Sequence, residues 1–466
     1  MALFFCLNTH AQTTFPVNGT VEKDVVVTKM VNATIHVDAK TIIENGTLLV
    51  QKGMIITVVG QDQAMPDLNG APVLEEDMNG AHIYPAFIDL HSHFGTPEVK
   101  RASWDGRPHI EREGPSLAGW NEAIKSEYST ASHLNFDQEK AKEYHKMGFA
   151  SVLTHMPDGI ARGTGALVHL GENDNTSLIN SQAGAFFSFK KGSSRQDYPS
   201  SLMGATALLR QTYYDAIWLD EQEIKPEGNL SLDAINNQWE MPAFFDAREK
   251  LEILRADAVG DEFDVQYHFF GNGDEYQRVN EIKAAGGSVI IPVDYPNSWD
   301  VSDPYLTKML SYGELKHWEM APSNAAILAE AGVPFCITSK GCSPKDFLTN
   351  LRKAVQRGLT KEQALDALTS YPAELVGAAD LLGALKNGMY ANFLVCDGDL
   401  FQKGSNILET WVRGEKKVIR DRDLIDISGE YNFNIDGDLL TLSVTGSNGE
   451  WKAKVQQINK KDTLTQ

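Results

Sequence analysis

From residue 81 to residue 383 short apolar runs alternate with amphipathic stretches, and this alternation most restricts what the chain can fold into. The strand candidates are 83–90, 150–154, 185–189, 243–247, 265–268, 289–293 and 334–338. Helical stretches lie between several of them, at 138–147, 248–258 and 345–357. In the last of these, Phe347, Leu348, Leu351, Ala354 and Val355 fall on one face at helical spacing. Thr360 followed by Gln363 forms a capping box for the helix carrying Ala364, Leu365 and Leu368. Strands separated by helices pair in parallel, and over about 300 residues a closed β/α barrel is the expected solution. Seven strands are read directly, and 166–170 is one option for the eighth.

The flanks read differently. Runs at 33–37, 47–50 and 54–59 are separated by Asn45-Gly46 and Lys52-Gly53, dipeptides that supply the positive φ of tight hairpins. After Gly388 the pattern is β-like again, at 392–396 and 410–414. Residues 25–80 and 388–425 are therefore expected to join as a composite β-sandwich module around a barrel spanning 81–387. The tail alternates through Tyr431, Phe433 and Ile435, then Leu440, Leu442 and Val444, then Trp451, Ala453 and Val455. Turns at Asp436-Gly437 and Asn448-Gly449 divide it. Three short strands leave an unpaired edge, so 429–466 reads as the start of a further β-rich domain. The expected fold is α/β, a (β/α)8 TIM-like barrel with the composite module and a short β-rich C-terminal tail.

With 42 basic against 63 acidic residues the chain carries a net charge of −21. Such a surface repels nucleic acid and anionic lipid. No apolar run reaches the ~18 residues that would span a bilayer. The four cysteines, Cys6, Cys336, Cys342 and Cys396, include no CxxC pair, which argues against a disulfide framework or a thiolate zinc site. Cys336 and Cys396 sit in apolar runs and read as small buried hydrophobes. Residues 1–12 look like the back half of a signal peptide, apolar over 2–7 with Thr9 and Ala11 behind but no charged front. The expectation is an exported chain, periplasmic or secreted.

Candidate chemistry centres on Asp89-Leu90-His91-Ser92-His93. Two histidines two apart at a strand end point to the same face, here the barrel mouth, and neutral imidazoles there can hold zinc or a similar divalent ion. No Gly-x-Ser-x-Gly elbow is present, which disfavours a serine hydrolase. Asp158-Gly159-Ile160-Ala161-Arg162-Gly163-Thr164-Gly165 lacks the ending of a phosphate loop; it is a turn, or a loop over the mouth with Arg162 available to an anionic substrate group.

The stretch Tyr84-Pro85-Ala86-Phe87-Ile88-Asp89-Leu90-His91-Ser92-His93 resembles the first-strand signature of the amidohydrolase superfamily. So does 45–53 before it, while Tyr371-Pro372-Ala373 and 385–392 resemble the end of that fold. The likeness covers roughly 25–425 and is nearest to imidazolonepropionase-like members. It implies one or two divalent ions, further histidine ligands on the fifth and sixth strands, sometimes a lysine on the fourth, and a proton-accepting aspartate ending the last strand.

Here the chain departs from the pattern. The fifth-strand candidate, 242–247, has no histidine; Asp246 stands near the place as a substitute oxygen ligand. The sixth-strand candidate ends in His268, read as the third imidazole or as a hydrogen-bonded core residue, and His155 faces the same alternatives. The last strand places Lys340, or Ser339, where the aspartate belongs. Three functional expectations follow. One is a metal-dependent hydrolase of C–N bonds in a small molecule or short peptide, with a divalent ion, zinc, on His91, His93 and His268. Another is an inactive barrel kept for binding or scaffolding, resembling the N-terminal, partly degenerate barrel of a larger secreted tandem-amidohydrolase protein. A hydrolase domain would then follow as its partner. A third is a carbohydrate- or peptide-binding module.

Overall fold

A computed structural model of the chain describes residues 26–457 apart from 69, 101–106, 113–117, 173–176, 224–227, 423–426, 436–437 and 448–449. The signal-peptide reading at 1–12, and the two tail turns, lie outside the described residues.

The N-terminal strands are β1 (Val27–His36), β2 (Ile42–Gln51), β3 (Met54–Val59), β4 (Val73–Asp77) and β5 (His82–Pro85). Eight strands follow in the central sheet: β6 (Phe87–Ser92), β7 (Phe149–Thr154), β8 (Ala161–His169), β9 (Leu178–Ser188), β10 (Ala243–Asp246), β11 (Tyr267–Phe270), β12 (Val289–Pro292) and β13 (Phe335–Thr338). Next come β14 (Phe393–Cys396), β15 (Ile407–Val412) and β16 (Glu415–Val418), which join β1–β5 in a second sheet of order β16-β15-β14-β5-β1-β2-β3, with β4 also on β1. A three-stranded antiparallel meander, β17 (Gly429–Ile435), β18 (Asp438–Ser447) and β19 (Glu450–Gln457), forms the tail. The split module thus closes through β5 and β14, which pair antiparallel with Val395 opposite Ile83. Met30, Ile35, Leu48, Ile83, Phe393 and Trp411 pack as its core.

Three sequence expectations are corrected. The run 83–90 is not one strand: it is split between β5 of the module and β6 of the barrel, so the chain changes sheets at the buried Ala86. Asn45-Gly46 is not a turn but an irregularity inside β2, where Gly46 opposes Ala33 and a Cβ would come within 2.8 Å of Ile35. The hairpin turn is at Lys52-Gly53, both with positive φ. The glycine-rich run at 158–165 enters a strand rather than a loop. That strand, β8, is antiparallel to both neighbours, whereas the other barrel pairs are parallel. Its glycines serve close approach: a Cβ on Gly163 would lie 2.0 Å from the Tyr128 carbonyl, and one on Gly165 2.3 Å from the Phe186 ring.

The barrel sheet runs β13-β12-β11-β10-β9-β8-β7-β6, and its two ends meet at a seam. The linker before residues Ser370–Leu375 seals it: Leu368 O accepts from Ile88 N–H at 2.9 Å and Ala367 O from Ile337 N–H at 3.0 Å. Inside, Phe186, Phe244 and Phe270 stack on one another at 5.2–6.1 Å between centroids, so the barrel is a packed apolar core beneath its mouth. Helix α1 (Gln138–Met147) starts on Asp137, whose side chain accepts from Glu139 and Lys140 N–H, and ends on left-handed Gly148.

Candidate metal centre

The mouth is built from strand ends. Period-two geometry sends both His91 and His93 inward from the end of β6, with ring centroids 5.7 Å apart. His155, one residue past β7, completes a triad: candidate ligand atoms of His91, His93 and His155 all lie within 4.8 Å of one another. A tetrahedral ion with 2.0–2.1 Å bonds separates its nitrogens by ~3.3 Å, so small side-chain adjustments would suffice. His93 Nδ1 donates to His155 O at 3.1 Å, which fixes the tautomer and leaves its Nε2 as a lone-pair donor.

The donor set fits a metal on a second ground. His91 Nδ1 and both ring nitrogens of His155 are buried without a hydrogen-bond partner. His155 packs nearly parallel to Phe186 and Phe270, at 4.2 and 5.4 Å, and His91 stacks on Phe270 at 4.1 Å. An unsatisfied buried polar atom costs about 1–3 kcal/mol, which a bound cation would offset. All three rings are neutral. Burial drives His91 and His155 well below the ordinary imidazole value, and burial followed by the Lys340 charge lowers His93 to about 4.

Asp89, on the same strand, does not face this cluster as a ligand. Its carboxylate accepts from Thr338 Oγ1, Ser339 Oγ and N–H, and the His91 N–H, binding the first strand to the last across the seam. Burial raises its pKa against these four donors. Ser339 is thereby committed to Asp89, while Lys340 stands beside the histidines, its own pKa lowered first by burial. A cavity of about 280 Å³ opens at this seam, lined by His91, His93, Lys340, Lys140, Glu143 and Tyr144 among others.

The remaining sequence candidates are placed as follows. His268 does not reach the triad, because β11 runs to Phe270 and puts Phe270 at the level of His91. Its Nδ1 instead accepts from Ser288 N–H at 3.2 Å, and burial lowers it to about 4. Arg162 lies on β8, buried, with Nη2 2.9 Å from Asp246 Oδ2, Nε on the Gly159 carbonyl and Nη1 unpartnered. Asp246 is therefore paired with a guanidinium; burial pushes its carboxyl up, but the charges of Arg162 and Lys190 and the Arg162 hydrogen bond hold it below the ordinary value. In the sequence His155 carries the same alternatives as His268; its place immediately after a barrel strand, as for His93 after β6, is the signal that sets it apart.

No curated protein matches the chain by sequence. Residues 321–422 match the model of the amidohydrolase family. Among solved structures, an amidohydrolase from Thermotoga maritima MSB8 aligns with a TM-score of 0.62 at 18% identity, over 84% of this chain and 99% of that one. A putative prolidase from Bifidobacterium longum aligns less closely, with a TM-score of 0.45 at 14% identity over 85% and 95%. The barrel with its split β-module and histidine-bearing first strand has the fold of that amidohydrolase, and the last barrel segment and the return to the module carry the match to the amidohydrolase family model.

Proposed function

We propose that this chain hydrolyses a C–N bond, an amide or short peptide, in a small anionic substrate, with a divalent ion held by His91, His93 and His155. The observation that carries the reading is the convergence of three neutral imidazoles whose buried nitrogens have no other partner. Three imidazoles with an open fourth position form one of the donor sets of catalytic zinc sites, which favours zinc. When bound, such an ion supplies Lewis acidity toward the scissile carbonyl and lowers the pKa of water.

The chain's own residues do the rest. The His155 carbonyl orients His93, and the phenylalanine stack beneath keeps water out of the barrel. Arg162 offers its free Nη1 to a substrate carboxylate, with Lys340 adding positive charge at the mouth. Metal analysis of the purified chain beside a His91→Ala/His93→Ala variant tests the reading. About one equivalent of zinc in the parent, lost together with amide hydrolysis in the variant, supports it. Background metal in the parent sinks it.

A second reading is favoured by one contact. Ser339 is locked onto Asp89, and Lys340 follows where the resemblance expects a proton-accepting aspartate. A barrel so altered would bind its ligand without cleaving it. Stoichiometric metal without hydrolysis, and amide hydrolysis gained in Lys340→Asp, would select this alternative.

A further inference from the structure

On the outside of the barrel, where it meets the β-module, a second cavity of about 610 Å³ is lined by Lys146, Lys345, Arg352 and Arg420, with no carboxylate in its wall. In a chain with 21 more acidic than basic residues, four cations around one cavity are not the average surface. Elsewhere cations meet carboxylates directly, as Lys361 does Asp399 and Arg422 does Glu76. Lys146, Lys345 and Arg420 form no ion pair among the described residues. Arg352 is anchored by carbonyls alone, Nε on Leu400 O at 2.9 Å and Nη2 on Ser405 O at 2.7 Å, which sets its guanidinium while leaving its charge uncompensated by direct contact. The nearby acids are engaged elsewhere: Asp346 takes the Ser343 hydroxyl, and Asp397 takes Ser405, Asn406 N–H and the Asn406 amide.

The remaining wall supplies what an oxyanion needs besides charge. Thr349 presents a hydroxyl, while the donors of Ser343, Ser405 and Asn406 are held by Asp346 and Asp397, and Leu348, Ile407 and Ile419 give an apolar floor for the body of a small molecule. The first turn of the ten-residue helix Phe347–Gln356 also faces it at Leu348 and Thr349, and its N-cap Asp346 does not cap it.

From these features we infer a binding site for a multiply charged small oxyanion, a phosphorylated or polycarboxylate metabolite, bridging barrel and module. The site is separate from the imidazole triad, although Pro344 lines both this cavity and the one beside Lys340. Ligand binding here is thus positioned to act on the loop that carries Lys340.

The test is isothermal titration of the full chain with pyrophosphate and with citrate at fixed ionic strength. It is repeated on Lys345→Glu/Arg420→Glu and, separately, on His91→Ala/His93→Ala. The expected result is saturable binding of at least one probe, weakened tenfold or more by the charge reversal and unchanged by the histidine variant. Preference for pyrophosphate assigns a phosphate ligand, and preference for citrate a carboxylate one. Folding of each variant is checked by circular dichroism, with Lys146→Ala as a milder substitute expected to weaken binding severalfold. No saturable binding by either probe, or binding lost in the histidine variant but kept in the charge reversal, overturns the inference. A failure of the metal reading would leave this result untouched, since neither probe arm depends on metal.

Discussion

Arg162 Nη2 lies 2.9 Å from Asp246 Oδ2 and joins β8 to β10 across the intervening β9, with the guanidinium buried and the carboxylate mostly so. The pair fills the part of the mouth where the fifth-strand histidine of the resemblance would stand. The ion pair leaves Arg162 Nη1 buried without a hydrogen-bond partner.

Breaking this pair from one side strands a buried charge. Asp246→Leu is expected to destabilise the chain by about 3–5 kcal/mol, as is Arg162→Met, whereas Arg162→Met/Asp246→Leu together should cost far less. Urea unfolding of the two singles and the double measures the coupling. Additive effects would show that the pair contributes no interaction of its own.

The seam depends on Asp89 in the same way. Asp89→Asn puts an amide where four donors converge, and the expected loss is about 3 kcal/mol, since hydrogen bonds to a charged acceptor contribute most. The variant also frees Ser339 and with it the backbone that sets Lys340. A thermal melt reads the first effect, and a loss of affinity for an anionic ligand at the mouth reads the second.

Much of this arrangement was legible beforehand, for reasons that can be traced to particular residues. Helix 138–147 is observed at those bounds because Asp137 and Gly148 mark both ends chemically. The capping box of Thr360 and Gln363 is present in full. His91 and His93 share a face because period two is fixed by strand geometry. The antiparallel β8 was hidden because glycines needed for close approach to Tyr128 and Phe186 look, in sequence, like glycines needed for turns. The sequence leaves His268 open between ligand and core residue because Val265–His268 and Tyr267–Phe270 are both plausible apolar strands. Only pairing with β10, Phe244 opposite His268 and Asp246 opposite Phe270, sets which residue reaches the mouth. The ties of Asp89 to Thr338 and Ser339 span about 250 positions and leave no local pattern to read.

Stability should fall in mild acid. Burial lowers His145 and His268 to about 4, against 6.5 for the unfolded imidazole. Between those values the unfolded chain takes up protons that the folded chain refuses. The contribution is complete above pH 6.5 and is lost as pH falls toward 4, by on the order of 3 kcal/mol for a fully buried ring and less for partly exposed His268. Urea midpoints from pH 7 to pH 4 should show this slope, and His145→Gln, which can still donate to Leu170 O, should flatten it.

His155 separates a functional residue from a structural one. It packs against two parallel phenylalanine rings with neither ring nitrogen bonded, a poor place for a histidine in a metal-free core. His155→Phe keeps the stacking and removes two unsatisfied atoms, so the metal-free variant should match or exceed the parent in stability, by up to about 2 kcal/mol. With zinc present the order should reverse, because only the parent gains from binding, by an amount that grows with the logarithm of free metal. Paired melts with and without zinc read both signs in one experiment. A variant less stable than the parent under metal-free conditions would mean that the imidazole is held there by packing rather than kept for a ligand.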